Sequence, residues 1–173
     1  MRQERTRWDP EQASFVDTVL DHSLLASFAS REAFEQFNKL GSLQYTIQLR
    51  EAFRTSVVLE LPGGIYLGHV TTKPNDQQEV EMNGYGIKVL EQGSIFEGRF
   101  QNDKLHGYGR ALFYDGSYFI GEFRHGLPHG PGTYYFKTED AKVEGIWNEY
   151  TLLEDCANNL DTIVERGLSM NET

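Results

Sequence analysis

The chain has 173 residues and a formal net charge of −10 at pH 7, with no basic segment, so nucleic acid and anionic lipid are poor default partners. No stretch approaches the roughly 18 consecutive apolar residues that a membrane-spanning helix needs. The single cysteine, Cys156, excludes an internal disulfide and fits a reducing compartment, so we expect an intracellular protein.

Residues 1–56 are predicted to form an N-terminal helical segment. Asp9 is followed by proline, which is typical of a helix start, and apolar residues then recur at three- and four-residue steps up to Phe28. Ser30 and Gly41 have the residue types that begin and end a second helix, and a third is predicted after it. Their apolar faces must pack on each other, on the following sheet or on another protein.

Residues 57–149 are predicted to form a β-sheet, because the apolar spacing changes from helical to period two. The predicted strands are 57–61, 65–70, 85–90, 94–100, 107–114, 117–123, 130–136 and 141–147. Between the second and third of these lies the polar stretch 71–83, TTKPNDQQEVEMN, which we expect to be a surface loop. The alternative is that this insertion makes a contact specific to one partner.

An internal repeat runs through the predicted sheet. Residues 94–116 are repeated at 117–139, a shortened copy follows at 142–147, and an earlier copy contains the 71–83 insertion. A repeat of this length indicates a fold built by stacking units. The glycines that recur with the repeat, and to which we assign a structural role, are Gly98, Gly107, Gly109, Gly116, Gly121, Gly130, Gly132 and Gly145.

Strand alternation places the aromatic residues of the repeats on the same face as these glycines. The candidate protein-interaction residues on this face are Phe96, Phe100, Phe113, Phe119, Phe123, Tyr134, Phe136 and Trp147. Such a face is too large to stay bare on a soluble monomer. We expect at least one terminal helix to cover it, and the alternative cover is a segment of a partner. The opposite face also carries apolar and aromatic residues, so we expect a second contact there: Tyr108, Leu112, Tyr114, Tyr118, Ile120 and Tyr135.

Residues 150–173 are predicted to form a C-terminal helix and tail. Apolar residues from Leu152 to Val164 have helical spacing, and Gly167 follows them. A helix here would cap the exposed end of the sheet, which repeat arrays usually require.

No pattern in the chain indicates catalysis or cofactor binding. The repeated Gly-x-Gly pairs lack the third glycine and the following helix that phosphate binding requires. His106, His125 and His129 are close in sequence, but no cysteine or paired aspartate stands beside them in ligand spacing. We therefore expect no enzyme activity, no metal, no cofactor and no small-molecule substrate.

The two central copies resemble the MORN (membrane occupation and recognition nexus) repeat. The pattern of aromatic, any residue, glycine, any residue, aromatic stands at 96–100 and again at 119–123, each followed by Gly-x-Gly. An Asp-Gly turn, which the pattern also contains, is present at 115–116 in the first of the two. The resemblance implies an α+β protein: a single-layer antiparallel β-meander of stacked hairpins, with the helical segment before it and the capping helix after it.

The same resemblance implies a function in binding. We expect a non-catalytic scaffold or adaptor that binds other proteins through the aromatic faces of the sheet, as a subunit of a larger cytoplasmic, cytoskeletal or ciliary assembly. The alternatives are a peripheral membrane or phosphoinositide-binding module and an accessory subunit of an enzyme complex. The absence of a lysine and arginine cluster argues against the membrane alternative.

Overall fold

The computed structural model describes residues 22–41, 43, 57–73, 76–137 and 141–155. Within these ranges two helices precede nine strands: α1 (His22–Phe28), α2 (Arg31–Leu40), β1 (Val57–Leu61), β2 (Gly64–Lys73), β3 (Asp76–Leu90), β4 (Ile95–Gln101), β5 (Lys104–Leu112), β6 (Tyr118–Arg124), β7 (Leu127–Tyr135), β8 (Lys142–Asn148) and β9 (Thr151–Asp155). The strands lie in chain order in one antiparallel sheet, each paired with the next. The predicted single-layer antiparallel meander is therefore confirmed.

Equivalent residues of successive strands form straight rows across the sheet. One row contains one glycine from every strand from β2 to β8 inclusive: Gly68, Gly86, Gly98, Gly109, Gly121, Gly132 and Gly145. We call this the glycine row. The neighbouring row on the same face, which we call the ring row, contains Leu59, Tyr66, Lys88, Phe96, Ala111, Phe119, Tyr134 and Val143. The face that carries both rows is the ring face.

The glycines provide the space in which the rings lie. A Cβ atom added at Gly132 would overlap Cζ of Phe119, which belongs to the neighbouring strand β6. In the same way, a Cβ atom at Gly86 would overlap the ring of Tyr66 on β2. At these two places an aromatic side chain lies across the backbone of the next strand, whereas the side chains of Leu105 and Leu152 occupy the corresponding space at Gly98 and Gly145. This explains why glycine recurs in strand interiors, where it otherwise weakens a sheet.

Both helices pack on the other face of the sheet, which we call the helix face. Leu25 of α1 and Phe37 of α2 are buried against a group of strand residues: Ile65, Ile87, Val89, Ile95 and Leu112. The expectation that a terminal helix covers the aromatic face is therefore wrong for the two described helices. Alternation explains the outcome, since it places Ile65, Ile87, Val89, Ile95 and Leu112 together on this face, where they form an aliphatic surface for the helices.

Helix α2 has the ends that the sequence predicts. Ser30 is its N-cap, and the Ser30 hydroxyl accepts a hydrogen bond from the Ala33 N–H at 3.1 Å. Gly41, with a φ of 67°, ends it. Of the first predicted helix, only α1 falls within the described residues. Of the third predicted helix, only Leu43 is among the described residues.

The insertion at 71–83 is not the loop that we predicted. Strands β2 and β3 extend into it, with Val70 opposite Met82 and Thr72 opposite Val80. β-branched residues on both sides favour this pairing. The Asp103 carboxylate accepts a hydrogen bond from the Met82 N–H at 2.8 Å, which ties the extension to the turn between β4 and β5.

The predicted C-terminal helix is wrong for its first residues. Thr151–Asp155 forms strand β9, which pairs with β8. A strand here satisfies the backbone groups of β8 and places Leu152 opposite Trp147, where its side chain fills the space above Gly145. The remainder of the prediction, from Cys156 onward, lies outside the described residues.

Candidate interaction surface

The predicted interaction residues fall into two groups when their burial is compared. Phe100, Phe119, Phe123 and Trp147 are at most 3% exposed. They pack in one cluster, in which Phe119 meets Phe123 and Trp147 edge to face at 5.3 and 5.5 Å between ring centroids. This first group holds the ring face together rather than offering surface to a partner.

The second group is half-buried and lies along one margin of the ring face. It consists of Phe96, Phe113, Tyr134 and Phe136. The Tyr134 ring lies 6.1 Å from that of Phe113 and 4.9 Å from that of Phe136, centroid to centroid. Phe96 lies in the same row as Tyr134, beyond Ala111 and Phe119, and together these residues form an apolar strip across β4 to β7. No residue of the described helices belongs to the cluster on this face.

The polar atoms of the rings are satisfied within the sheet. The Tyr134 hydroxyl donates to Oγ of Ser117 at 2.8 Å, and Nε1 of Trp147 donates to the Gly132 carbonyl at 3.0 Å. The Tyr66 hydroxyl donates to the His69 carbonyl at 2.8 Å. Burial raises the pKa of the Tyr66 and Tyr134 hydroxyls, so both remain protonated donors at neutral pH. The rings are thus held in fixed positions, which lowers the entropy lost when a partner binds.

One residue of the ring row does not fit the apolar pattern. Lys88 is half-buried between Tyr66 and Phe96 in the row, and it is the row's single charged member. Sequence reasoning missed it, although an alignment of the copies contains the signal, because Lys88 stands where the next copies have Ala111 and Tyr134.

The helix face contains a buried ion pair that sequence reasoning also missed. Glu97 on β4 and Arg110 on β5 are opposite each other and are 1% and 2% exposed. Nε of Arg110 donates to Oε2 of Glu97 at 2.7 Å, and the guanidinium lies over the Phe37 ring of α2, 5.0 Å from its centroid. The Leu43 N–H donates to the other carboxylate oxygen at 3.1 Å. Burial raises the pKa of Glu97, although Arg110 and the Leu43 N–H oppose the shift. The pair therefore connects the helical segment to the repeats.

The rest of the helix face is aromatic, as predicted, but only part of it is covered. Leu112 is buried beneath the helices, whereas Tyr108 and Tyr114 are 61% and 46% exposed. Tyr118 and Tyr135 stack with centroids 4.4 Å apart. Ile120 is half-buried beside them.

The predicted structural role of the remaining glycines has a backbone cause. Gly107, Gly116 and Gly130 have φ values of 74°, 92° and 90°, which side-chain-bearing residues rarely adopt. Gly107 and Gly130 lie inside β5 and β7, and Gly116 lies in the turn before β6. His106 and His125 have ring centroids 6.2 Å apart. Within the described residues there is no group of three His, Cys, Asp or Glu side chains that could hold a metal ion.

The comparison with protein families agrees with this geometry. The family model of the MORN repeat matches residues 96–118 and 119–140, which contain β4 to β7. These residues are MORN repeats. No curated protein matches the chain. Neither described helix is long and apolar enough to span a membrane. MORN repeats generally take part in protein and membrane interactions, so the ring face of the repeats is the first surface to consider.

Proposed function

We propose that this chain is a non-catalytic scaffold that binds a segment of another protein across the ring face of its MORN repeats. The observation that carries the proposal is the division of the sheet: the described helices occupy the helix face, while Phe96, Phe113, Tyr134 and Phe136 remain half-buried on the ring face. A fixed apolar strip of this kind suits a helix or an extended segment with apolar side chains.

The scaffold belongs, on this proposal, to a larger intracellular assembly that is cytoplasmic, cytoskeletal or ciliary. The single cysteine of the sequence supports a reducing compartment. Residues 156–173 would serve as a cap that covers the edge of the sheet beside β9, as the apolar spacing of that segment favours.

Site-specific photocrosslinking tests the choice of face. A photoreactive phenylalanine analogue placed at Phe113 or Phe136 should give a discrete adduct in a lysate of the native source. The same analogue at Tyr108, which is exposed on the helix face, is the matched control and should give none. The double substitution Phe113→Ser with Tyr134→Ser should remove the adduct formed at Phe136.

The two competing outcomes are equally definite. An adduct that forms at Tyr108 alone would mean that the partner binds the helix face and not the ring face. Flotation of the full chain with phosphoinositide vesicles, without any protein adduct, would support the membrane alternative instead.

A further inference from the structure

We propose that Lys88 is an anchor for a carboxylate, and that the partner segment on the ring face carries an aspartate or glutamate flanked by apolar side chains. This inference rests on the proposed function, since it names the chemistry of the partner that the ring face would bind.

The first argument is the position of Lys88. The register places it directly opposite Tyr66 on one side and Phe96 on the other, within a row that is otherwise uncharged. Phe96 is one of the half-buried rings of the proposed binding strip. A segment that lies along this strip would therefore reach Lys88 at the end nearest β3.

The second argument is that the fold does not require a lysine there. The equivalent positions in the following copies are Ala111 and Tyr134, and both lie in the same row with the same pairing pattern. The repeat architecture therefore accepts a small or an aromatic side chain at this place. At a half-buried position of an apolar face the charge of a lysine is partly desolvated, which disfavours the charged form unless a counter-charge lies near.

The third argument is that the ammonium makes no ion pair within the part of the chain that the structure describes. Among the described residues, Lys88 makes no ion pair, whereas Lys73, Arg110 and Lys137 each lie close to a glutamate. The pKa of Lys88 is lowered by burial, and the Asp103 carboxylate opposes this at longer range. An acidic group brought by a partner would restore the favourable environment of the charge.

The charge distribution favours a peptide carboxylate over a lipid phosphate. Headgroups of anionic membranes are bound by clusters of lysine and arginine, and the ring row holds one lysine in a chain whose net charge is −10. A single cation within an apolar strip instead fits a single acid within an apolar peptide, because the pair fixes the register of the bound segment.

Selection from a displayed library of random peptides tests this pairing. Peptides of about 12 residues are long enough to cross the strands from β3 to β8, at ~4.8 Å between strands and ~3.3 Å per residue. The full chain should enrich peptides that combine apolar residues with aspartate or glutamate. Lys88→Met should lose the acidic preference while retaining the apolar one, and Lys88→Glu should replace it by a preference for lysine or arginine.

The matched control is Lys142→Glu, a charge reversal on the opposite face of the same sheet. It should leave the acidic preference unchanged. Individual acidic peptides should bind the Lys88→Glu variant at least about tenfold more weakly than the unchanged chain, the usual order for a charge-assisted contact. Melting curves of all three variants confirm that each is folded before selection.

Two results separate this inference from the proposed function. If the unchanged chain enriches apolar peptides without acids, or if Lys88→Met keeps the acidic preference, the Lys88 inference is wrong while binding on the ring face stands. If no peptide is enriched and Phe113 gives no photoadduct, both are wrong. If the chain floats with phosphoinositide vesicles in a way that depends on Lys88, and no acidic peptide is enriched, then Lys88 binds a lipid phosphate and not a peptide carboxylate. That result would overturn the inference.

Discussion

Glu97 and Arg110 are directly opposite each other on β4 and β5, and each is almost completely buried beneath α2. Nη2 of Arg110 also approaches Oε2 of Glu97, but its geometry is too poor for a second hydrogen bond. In the next copy of the repeat the same positions are Ile120 and Thr133, which are also opposite each other. The ion pair is thus a local feature of the place where the helical segment meets the repeats.

We expect Arg110→Met to destabilise the chain strongly. It leaves the Glu97 carboxylate buried without its counter-charge, and breaking a buried pair in this way costs about 3 to 5 kcal/mol. The double variant Glu97→Leu with Arg110→Met should recover most of that loss, because two apolar side chains need no compensation. Urea unfolding at pH 7 measures both free energies.

The exposed pair of Arg31 and Glu35 is the control for this cycle, with side-chain exposures of 86% and 63%. Arg31→Met should change the free energy of unfolding by no more than about 0.5 kcal/mol. If the double variant at Glu97 and Arg110 were as unstable as the sum of its single variants, the two charges would not be coupled.

The raised pKa of Glu97 predicts an unusual pH dependence. A carboxyl whose pKa is higher in the folded than in the unfolded chain contributes stability below its unfolded pKa, and this contribution is lost as the pH rises through the folded value. The free energy of unfolding of the unchanged chain, minus that of Glu97→Gln, should therefore increase as the pH falls from 8 towards 4. Urea unfolding across this range measures the difference, in which the other carboxylates cancel. A difference that shrinks on acidification would mean that Arg110, not burial, controls this carboxyl.

Gly132→Ala should destabilise the sheet by about 1 to 3 kcal/mol, the usual cost of overpacking a core. The added methyl group would overlap the Phe119 ring, which is fully buried and has no free space to enter. Phe119→Leu, combined with Gly132→Ala, should cost less than the sum of the two single substitutions, since the shorter side chain makes room for the methyl group. Thermal unfolding of the four proteins gives the coupling, and strict additivity would contradict the arrangement of ring over glycine.

Ser30→Ala should cost about 1 to 2 kcal/mol, because it removes the N-cap of α2. The same hydroxyl donates to the Tyr114 carbonyl at 2.9 Å, and the Ser30 N–H donates to the Gly93 carbonyl at 2.9 Å. Ser27→Ala is the control, since among the described residues the Ser27 hydroxyl donates only to the Leu24 carbonyl of its own helix. Hydrogen exchange of the α2 amides should increase in the first variant and stay unchanged in the second.

The local sequence pattern was sufficient to predict the central strands and to assign their residues to the two faces of the sheet. Period-two spacing and the 23-residue repeat placed Phe96, Gly98 and Phe119 on one face, where the structure has them. The ends of α2 were also predictable, because Ser30 and Gly41 act on the backbone groups of their own helix.

Pattern could not determine which element covers which face. Both faces are apolar, so the side on which α1 and α2 lie depends on the shape of the packed surfaces. The Glu97–Arg110 pair and Lys88 were missed for a related reason. A charged residue in a strand is usually exposed, and its burial depends on what packs above it.

Tyr66 lies on Gly86 within the β2–β3 pair, and Phe119 lies on Gly132 within the β6–β7 pair, so each ring and the glycine beneath it belong to one hairpin. A length change preserves this relationship if it adds or removes a whole 23-residue hairpin unit, or if, like the 71–83 insertion, it lengthens two paired strands together beyond the glycine. Any other length change would place side chains where backbone space is needed. The binding strip can therefore be lengthened or shortened in evolution by duplication or loss of whole hairpins, in steps of about 10 Å for two strands. Such a step leaves the strand pairing of the remaining hairpins unchanged.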